Sequence, residues 1–331
     1  MKHKILFVER KPFGSVSIER VFDQISKDIS TDLFEFEAQK MPYGNNPLDI
    51  VMNLLFFRPE PADIYHITGQ IHYMAFRLPA DRTVLTIHDL VFLHRRKGIR
   101  RYVLKKIFLD LPIKRLNFIT AISQATKDEI VKYTDCDPAK IRVIENPLTD
   151  GLDPEPVKPF DQKCPVILHI GTAVNKNVLN LISALDGVNC RLRIIGRMDA
   201  KIKNALAESS VQFENVFDLR AKDMIEEYRN ADIVAFCSSY EGFGLPIIEG
   251  QAMRKPVITS DLSPMKDVAG SGAYLADPND VSDIRNGLLK IINETPYRER
   301  LIVNGSQNVL RFSRKASAAE YVEVYNSALS N

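Results

Sequence analysis

The chain has 331 residues, long for one domain and natural for two of roughly 100–200 residues each. Lys and Arg number 44 against 42 Asp and Glu, a net charge of +2, which removes any global electrostatic case for nucleic acid and leaves basic function to local patches. Four cysteines without a CxxC pair argue against a zinc or disulfide framework and fit a reducing cytoplasm, where the protein is expected. The apolar run Ile5–Val8 stops at Glu9, too short for a signal peptide. Ile50–Phe57 contains Asn53 and falls far short of the roughly 20 residues of a spanning helix.

Short apolar runs recur along the chain. The candidate strands of the first half are Lys4–Val8, Ile64–Ile67, Thr83–Ile87, Phe118–Ala121 and Ile141–Ile144, with a helical pattern at Ser123–Tyr133. Asp153-Pro-Glu-Pro-Val-Lys-Pro159 then places three prolines in seven residues; proline fixes φ and blocks helix continuation, so the stretch reads as an extended linker. Beyond it come Val166–Ile170, Arg191–Ile195, Ile233–Phe236 and Pro256–Thr259, with a helical pattern at Asp223–Asn230. Continuous rather than alternating apolar character suits parallel strands covered on both faces, with helices completing βαβ units. The pattern predicts two α/β halves. One large doubly wound sheet with a proline-rich surface loop is the other arrangement it allows.

Open parallel sheets bind ligands beyond the carboxyl ends of their strands. The densest signal lies there, in Ser238-Ser-Tyr-Glu-Gly-Phe-Gly-Leu-Pro-Ile-Ile-Glu-Gly250, directly after Ile233–Phe236. Gly242 and Gly244 flank Phe243 and permit close backbone approach. Pro246 suits the first turn of a helix, whose free amides and positive dipole end then make an anion site. Glu241 precedes the turn and Glu249 lies about one turn inside, so two carboxylates surround an anion-binding element. That suits a sugar phosphate, with hydroxyls to the carboxylates and phosphate to the amides. A tight turn capping an ordinary helix, with solvated glutamates, is the plainer alternative. A dinucleotide fingerprint is excluded, since GxGxxG would need glycine at Ile247.

Glu241 and Glu249, in the context EGFGLPIIEG, resemble the EX7E motif of retaining glycosyltransferase family 4, whose fold is GT-B. Lys255-Pro-Val-Ile-Thr-Ser-Asp261, Ala276-Asp-Pro-Asn-Asp280 and Asn230-Ala-Asp-Ile-Val are also similar to that family. In the first half the likeness rests on Thr86-Ile-His-Asp-Leu90, Thr120-Ala-Ile-Ser-Gln-Ala-Thr126 and Lys140-Ile-Arg-Val-Ile-Glu-Asn-Pro147. The resemblance implies two Rossmann-like domains with parallel sheets facing across a cleft: residues 1–155 binding the acceptor, 156–310 binding a nucleotide-sugar donor, and 311–331 a helix packing back on the first domain. It implies that Glu249 holds the ribose, that Glu241 contacts the donor sugar near the reacting carbon, and that backbone around Phe243, Gly244 and Leu245 meets the distal phosphate. Gly171-Thr-Ala-Val-Asn-Lys-Asn177 matches the family's phosphate loop, bringing Gly171, Thr172 and the cation Lys176. The family often carries arginine directly after this glycine or beside the lysine, where this chain has Thr172 and Asn175. Arg197, after the strand Arg191–Ile195, is the candidate second cation.

His88 and Asp89 close the strand Thr83–Ile87, a pair that reads equally as a helix cap beside a packed histidine. The resemblance assigns His88 to the donor sugar and gives Asp89 a place in the cleft. The loop Lys11–Val16 keeps only Gly14 of the glycine-rich form usual there. Asp135-Cys-Asp137 copies the metal-binding DxD of another glycosyltransferase fold, but no apolar strand presents it and a capping turn is the better reading. No metal and no cofactor are expected; Lys176 and the helix terminus would neutralise the leaving diphosphate.

Residues Arg95–Arg115 hold nine Lys and Arg and one acid, Asp110. Ile99, Val103, Leu104, Ile107, Phe108 and Leu111 share one helical face, with Arg101 and Lys105 pointing away. That apolar face is expected on the domain core, while the basic run Arg95–Lys106 suits the headgroups of anionic lipids or a merely solvated surface. The reading is a retaining, metal-independent transfer of a sugar from a nucleotide sugar to a hydroxyl of a saccharide or lipid-linked saccharide, in cell-surface polysaccharide synthesis, by a cytoplasmic protein peripheral to the membrane. A nucleotide-sugar epimerase of the same fold and a non-catalytic nucleotide-sugar binding protein are the alternatives.

Overall fold

Residues 2–11, 17–29, 32–156 and 158–330 are described in the computed structural model. The chain divides into two units, Met1–Pro147 with Phe312–Asn331, and Leu148–Arg311. The first contains β1 (His3–Glu9), β2 (Phe34–Lys40), β3 (Ile64–Ile67), β4 (Thr83–Ile87), β5 (Phe118–Ala121) and β6 (Ile141–Val143) in one sheet ordered β2-β1-β3-β4-β5-β6. The second contains β7 (Val166–Ile170), β8 (Arg191–Ile195), β9 (Gln212–Val216), β10 (Ile233–Phe236), β11 (Val257–Ser260) and β12 (Ala273–Ala276), ordered β12-β11-β10-β7-β8-β9. All pairings are parallel. The α/β class and the two sheets agree with the sequence pattern.

The proline-rich stretch does not join the units. The chain enters the second unit at Leu148, and residues after it are tied there: Lys158 donates to the buried Asp232 carboxylate at 2.8 Å, and the Asp153 carbonyl accepts from Arg229 at 3.3 Å. Three strands escaped the apolar pattern, namely β2, β9 and β12, and all three are sheet edges. An edge strand is covered less completely, so the sequences of β2 and β9 alternate or turn polar, as in Phe34-Glu-Phe-Glu and Gln212-Phe-Glu-Asn, whereas β12 is a short apolar run, Ala273-Tyr-Leu-Ala276.

The C-terminal helix, Arg314–Leu329, belongs to the first unit. Ser317, Ala318, Tyr321, Val324, Tyr325 and Ala328 are its buried residues, three and four apart, and they face β3, β4 and the helix Ser17–Asp28. The Tyr325 hydroxyl lies 2.8 Å from His66 Nδ1, and Thr86 Oγ1 lies 2.7 Å from Nε2. The ring is thus satisfied on both nitrogens by neutral partners.

The basic segment is a helix, Gly98–Lys105, continuing through a π-helical turn, Lys106–Asp110, into the helix Leu111–Arg115. Pro112 accounts for the turn. Its ring would crowd the Phe108 carbonyl four residues back, and it has no N–H to give that oxygen, so the coil widens by one residue. His72 Nδ1, 2.6 Å away, supplies the missing hydrogen bond. The widening also splits the single apolar face expected from sequence. Phe108 and Leu109 are buried, with Leu104 and Ile107 packed on the core, whereas Ile99, Tyr102, Val103 and Leu111 are 74%, 58%, 43% and 45% exposed. Arg101 does not point freely away; its guanidinium lies 5.4 Å from the Tyr133 ring centroid. No helix among the described residues is long and apolar enough to cross a membrane.

Burial pushes His66 down to about 3, and His72 and His88 to about 4, so the folded first unit holds three neutral imidazoles. Unfolded histidines titrate near 6.5. Below that pH the unfolded chain takes up protons that the folded chain refuses, and stability falls as pH drops from about 6.5 towards 4. The melting temperature, followed by near-UV circular dichroism, should decline across this window, with a shallower decline for His66→Asn. A flat profile down to pH 4.5 would refute buried, neutral rings.

Candidate active site

Strand order fixes where a ligand can enter the second unit. Numbered from β7, its sheet reads 3-2-1-4-5-6, and the crossovers depart to opposite faces between β7 and β10, opening a crevice at their carboxyl ends. The two loops marked in the sequence leave these two strands. After β7, Gly171 has φ +95, and a Cβ there would stand 2.9 Å from Lys176 Cγ, so the lysine stem folds over bare backbone. Asn177, with φ 60, ends the loop in a left-handed conformation; its amide donates to the Cys237 carbonyl at 3.0 Å and the Pro278 carbonyl at 2.6 Å.

These contacts stitch the β7 loop to the β10 loop. Asn175 Nδ2 donates to the Tyr240 carbonyl at 2.9 Å, and the Ser239 amide donates to the Asn175 carbonyl at 2.8 Å. Lys176 Nζ meets Glu241 Oε1 at 2.7 Å and lies 4.7 Å from the Phe236 ring centroid. Both side chains of this pair are largely shielded, 23% and 13% exposed, so solvent screens it less than a surface pair.

The helix Leu245–Ala252 starts just beyond. Gly244, at φ +115, is its N-cap, and Pro246 lies in its first turn. A Cβ at Gly244 would come 2.9 Å from Ile247 Cδ1, so the entry turn admits no larger residue without strain. Phe243 is buried, which leaves its backbone rather than its ring for a ligand, and Leu245 opens the helix. Glu249 points to a different set of partners from Glu241. Thr149 Oγ1 donates to its Oε1 at 2.5 Å and the Tyr228 hydroxyl to its Oε2 at 2.5 Å. Burial, then the neighbouring carboxylate, holds the Tyr228 hydroxyl well above its usual titration range, so it remains a donor.

Other sequence candidates fall elsewhere. Thr172 Oγ1 donates to the Arg197 carbonyl at 2.7 Å, which joins the β7 and β8 loops. The Arg197 guanidinium does not join Lys176; it is 69% exposed, pairs with Asp218 and lies 4.4 Å from the Phe217 ring centroid. His88 and Asp89 belong to the first unit. Asp89 Oδ1 accepts the Val91 amide at 2.9 Å and Oδ2 accepts Gln70 Nε2 at 2.9 Å, a capping geometry. His88 Nε2 lies 2.7 Å from the Thr68 carbonyl, which can only accept. The proton is therefore on Nε2, and Nδ1 is a hydrogen-bond acceptor on a ring that is 5% exposed. Gly14 lies outside the described residues. Asp137 Oδ1 accepts the Ala139 amide at 2.9 Å and caps the turn Pro138–Lys140.

Sequence reasoning missed Thr149, Tyr228, Asn175 and Asn177 as parts of the site. Asn177 carried a signal, since asparagine tolerates the left-handed conformation a strand-to-helix turn requires. Thr149 and Tyr228 carried none, because each reaches Glu249 from a distant segment.

Comparison with known proteins gives the class. Residues 155–308 match the family described as Glycosyl transferases group 1, and residues 37–150 match Glycosyltransferase Family 4. The chain is similar to O-antigen chain mannosyltransferase B of Escherichia coli, 26% identical over 293 residues, spanning 79% of this chain and 74% of the relative. It is 28% identical over 236 residues to the capsular polysaccharide biosynthesis glycosyltransferase CapM of Staphylococcus aureus, spanning 64% of this chain and 62% of CapM. The structure of sucrose-phosphate synthase from Thermosynechococcus elongatus superposes with a TM-score of 0.81 at 14% identity, over 99% of this chain and 100% of that one, a likeness of fold. The two parallel sheets are those of a GT-B glycosyltransferase. Within that class the chain belongs to the family 4 type.

Lys176→Met should leave the Glu241 carboxylate shielded and without its counter-ion. A loss on the order of 1–2 kcal/mol is expected, between exposed and fully buried pairs. Adding Glu241→Gln should restore part of it. Additive losses in this cycle, read by urea denaturation, would mean that the pair contributes no coupling.

Proposed function

We propose that the protein transfers a sugar, with retention, from a nucleotide-sugar donor to a hydroxyl of a saccharide or lipid-linked saccharide during synthesis of a cell-surface polysaccharide, without a metal. The names of its relatives, O-antigen and capsular polysaccharide enzymes, support the pathway class. The observation that carries the chemistry is the Lys176–Glu241 pair, set beside the amino end of Leu245–Ala252 at the β7/β10 crevice.

A nucleoside diphosphate fits this arrangement by charge. Glu249 is steadied by two hydroxyl donors and still has lone pairs for ribose hydroxyls. The distal phosphate meets the backbone of Gly244 and Leu245 at the positive end of the helix. As the glycosidic bond to phosphate breaks, negative charge grows on the departing oxygen. Lys176 moves from Glu241 towards that charge, and the freed carboxylate faces the sugar at its reacting carbon. Gly171 and Thr172 shape the loop that carries the lysine. Arg197 lies on the adjacent loop and would have to leave Asp218 to help.

The resemblance assigns His88 to the donor sugar. A neutral ring with Nδ1 as acceptor suits a sugar hydroxyl better than an imidazolium would, and burial keeps it neutral at working pH. Asp89, committed to its cap, positions the turn that carries His88. The departing phosphate oxygen accepts the proton of the acceptor hydroxyl, so no separate strong base is required. The exposed apolar residues and cations of Arg95–Lys106 support reversible docking to an anionic membrane surface, where a lipid-linked acceptor would be found.

Lys176→Ala should lower turnover of the nucleotide sugar by roughly 10²–10³, the scale of losing one oriented charge at a developing anion. Its melting temperature should fall by a few degrees only. Undiminished turnover would remove Lys176 from the mechanism. A parallel incubation without acceptor separates transfer from epimerisation, which consumes donor regardless. Transfer should also survive excess EDTA; loss of activity restored by Mg²⁺ or Mn²⁺ would overturn the metal-free reading.

A further inference from the structure

The first unit contains an open cavity of about 700 Å³ lined by Lys105, Lys106, Lys114, Lys132 and Lys140. It lies at the amino ends of β5 and β6: Leu111–Arg115 leads into β5, Gln124–Tyr133 returns from it, and Pro138–Lys140 leads into β6. His88 follows the carboxyl end of β4, at the other end of the same parallel sheet. The lysine cavity is therefore separate from the residues proposed for sugar transfer.

Asp110, Asp135 and Asp137 also line it, so ammonium groups outnumber carboxylates by two. The carboxylates are largely committed. Asp110 takes Lys105 at 2.8 Å and Lys106 at 2.9 Å, and Asp137 caps its turn. Lys140 Nζ donates to the Ile113 carbonyl at 2.7 Å. Lys114 and Lys132 make no ion pair among the described residues, and Lys132 is held 5.6 Å from the Tyr133 ring centroid at the cavity wall. Lys114 and Lys132, each in the last turn of its helix, thus offer the cavity two ammonium groups without a carboxylate partner, which suits a phosphate group.

The rim gives the source of that phosphate. Leu111, exposed at 45%, lines the cavity itself, and Ile99, Tyr102 and Val103 continue the exposed apolar stripe along the same segment. Lys106 spans the two regions, with Nζ 5.7 Å from the Tyr102 ring centroid and 2.9 Å from Asp110. Apolar side chains beside a lysine-lined hollow match the boundary between acyl chains and headgroups. We propose that this cavity receives the phosphate of an anionic phospholipid headgroup, with Lys114 and Lys132 as its principal ligands. The inference rests on the membrane-docking reading above and converts a diffuse charge attraction into a headgroup-selective site.

The test uses the full chain with phosphatidylcholine vesicles containing either phosphatidate or phosphatidylserine, adjusted to equal surface charge at constant salt. Phosphatidate exposes its phosphate as a terminal group, whereas phosphatidylserine covers it. Wild-type protein should bind phosphatidate vesicles roughly 5- to 30-fold more tightly, the scale of one or two lysines engaged at a membrane surface. Lys114→Gln with Lys132→Gln should erase the preference while sparing sugar transfer to a soluble acceptor. Glycerol 3-phosphate should compete for phosphatidate vesicles and not for phosphatidylserine ones. Equal binding to both compositions sinks the headgroup site and leaves charge-driven docking standing. A preference unchanged in the double variant also overturns the assignment. No binding to any vesicle removes the docking reading, and saturable binding of glycerol 3-phosphate in that case would give the cavity to a soluble phosphate instead.

Discussion

Parallel pairing is the constraint from which the rest follows. With every strand in a sheet running the same way, all the carboxyl ends collect along one edge, and every loop able to reach a ligand starts there. In the second unit the strand order places β7 beside β10, so their following segments part to opposite faces. The lysine of one loop and the glutamate of the other can then meet at 2.7 Å across the gap. Parallel sheets must also be covered on both faces, which is why the chain returns at Phe312 to lay Tyr321 and Tyr325 against the first sheet.

What was legible in the sequence follows the same physics. Interior strands such as β4, β7 and β10 are buried on both faces and announce themselves as continuous apolar runs. β2 and β9, at the edges, obey no such demand and were not seen; β12, Ala273–Ala276, is apolar but only four residues long and was passed over. Glu241, Lys176 and Glu249 stood out because their loops need glycine and proline at fixed offsets, and a resemblance of motif could then attach to them. Their partners did not, because Thr149 and Tyr228 are separated from Glu249 by 100 and 21 residues and only tertiary structure brings them together. The widened turn at Lys106–Asp110 was hidden too. A helical wheel drawn over that segment assumes a constant period, and one inserted residue rotates everything beyond it.

The two units differ in the polar groups at their strand ends. The first buries three histidines, all neutral, hydrogen-bonded to hydroxyls and carbonyls. The second gathers formal charges and helix-end amides around the β7/β10 crevice. Sugars are uncharged and rich in hydroxyls, whereas a diphosphate is anionic. The separation is not complete, since His169 on β7 is a buried neutral imidazole of the second sheet, 3.1 Å from the Ala235 carbonyl.

The exchange between Pro112 and His72 over one carbonyl has an evolutionary consequence. Phe108 has a buried main-chain oxygen that its own helix cannot satisfy, and an imidazole from another part of the chain fills the vacancy. A lineage that lost the histidine first would strand that oxygen. One that lost the proline first would regain a backbone donor, which the carbonyl's second lone pair can accept beside the ring. The dependence is therefore expected to run one way: His72 is needed while position 112 is proline, and becomes dispensable once a backbone donor returns there. A substitution tolerated at position 72 in a distant relative need not be tolerated here.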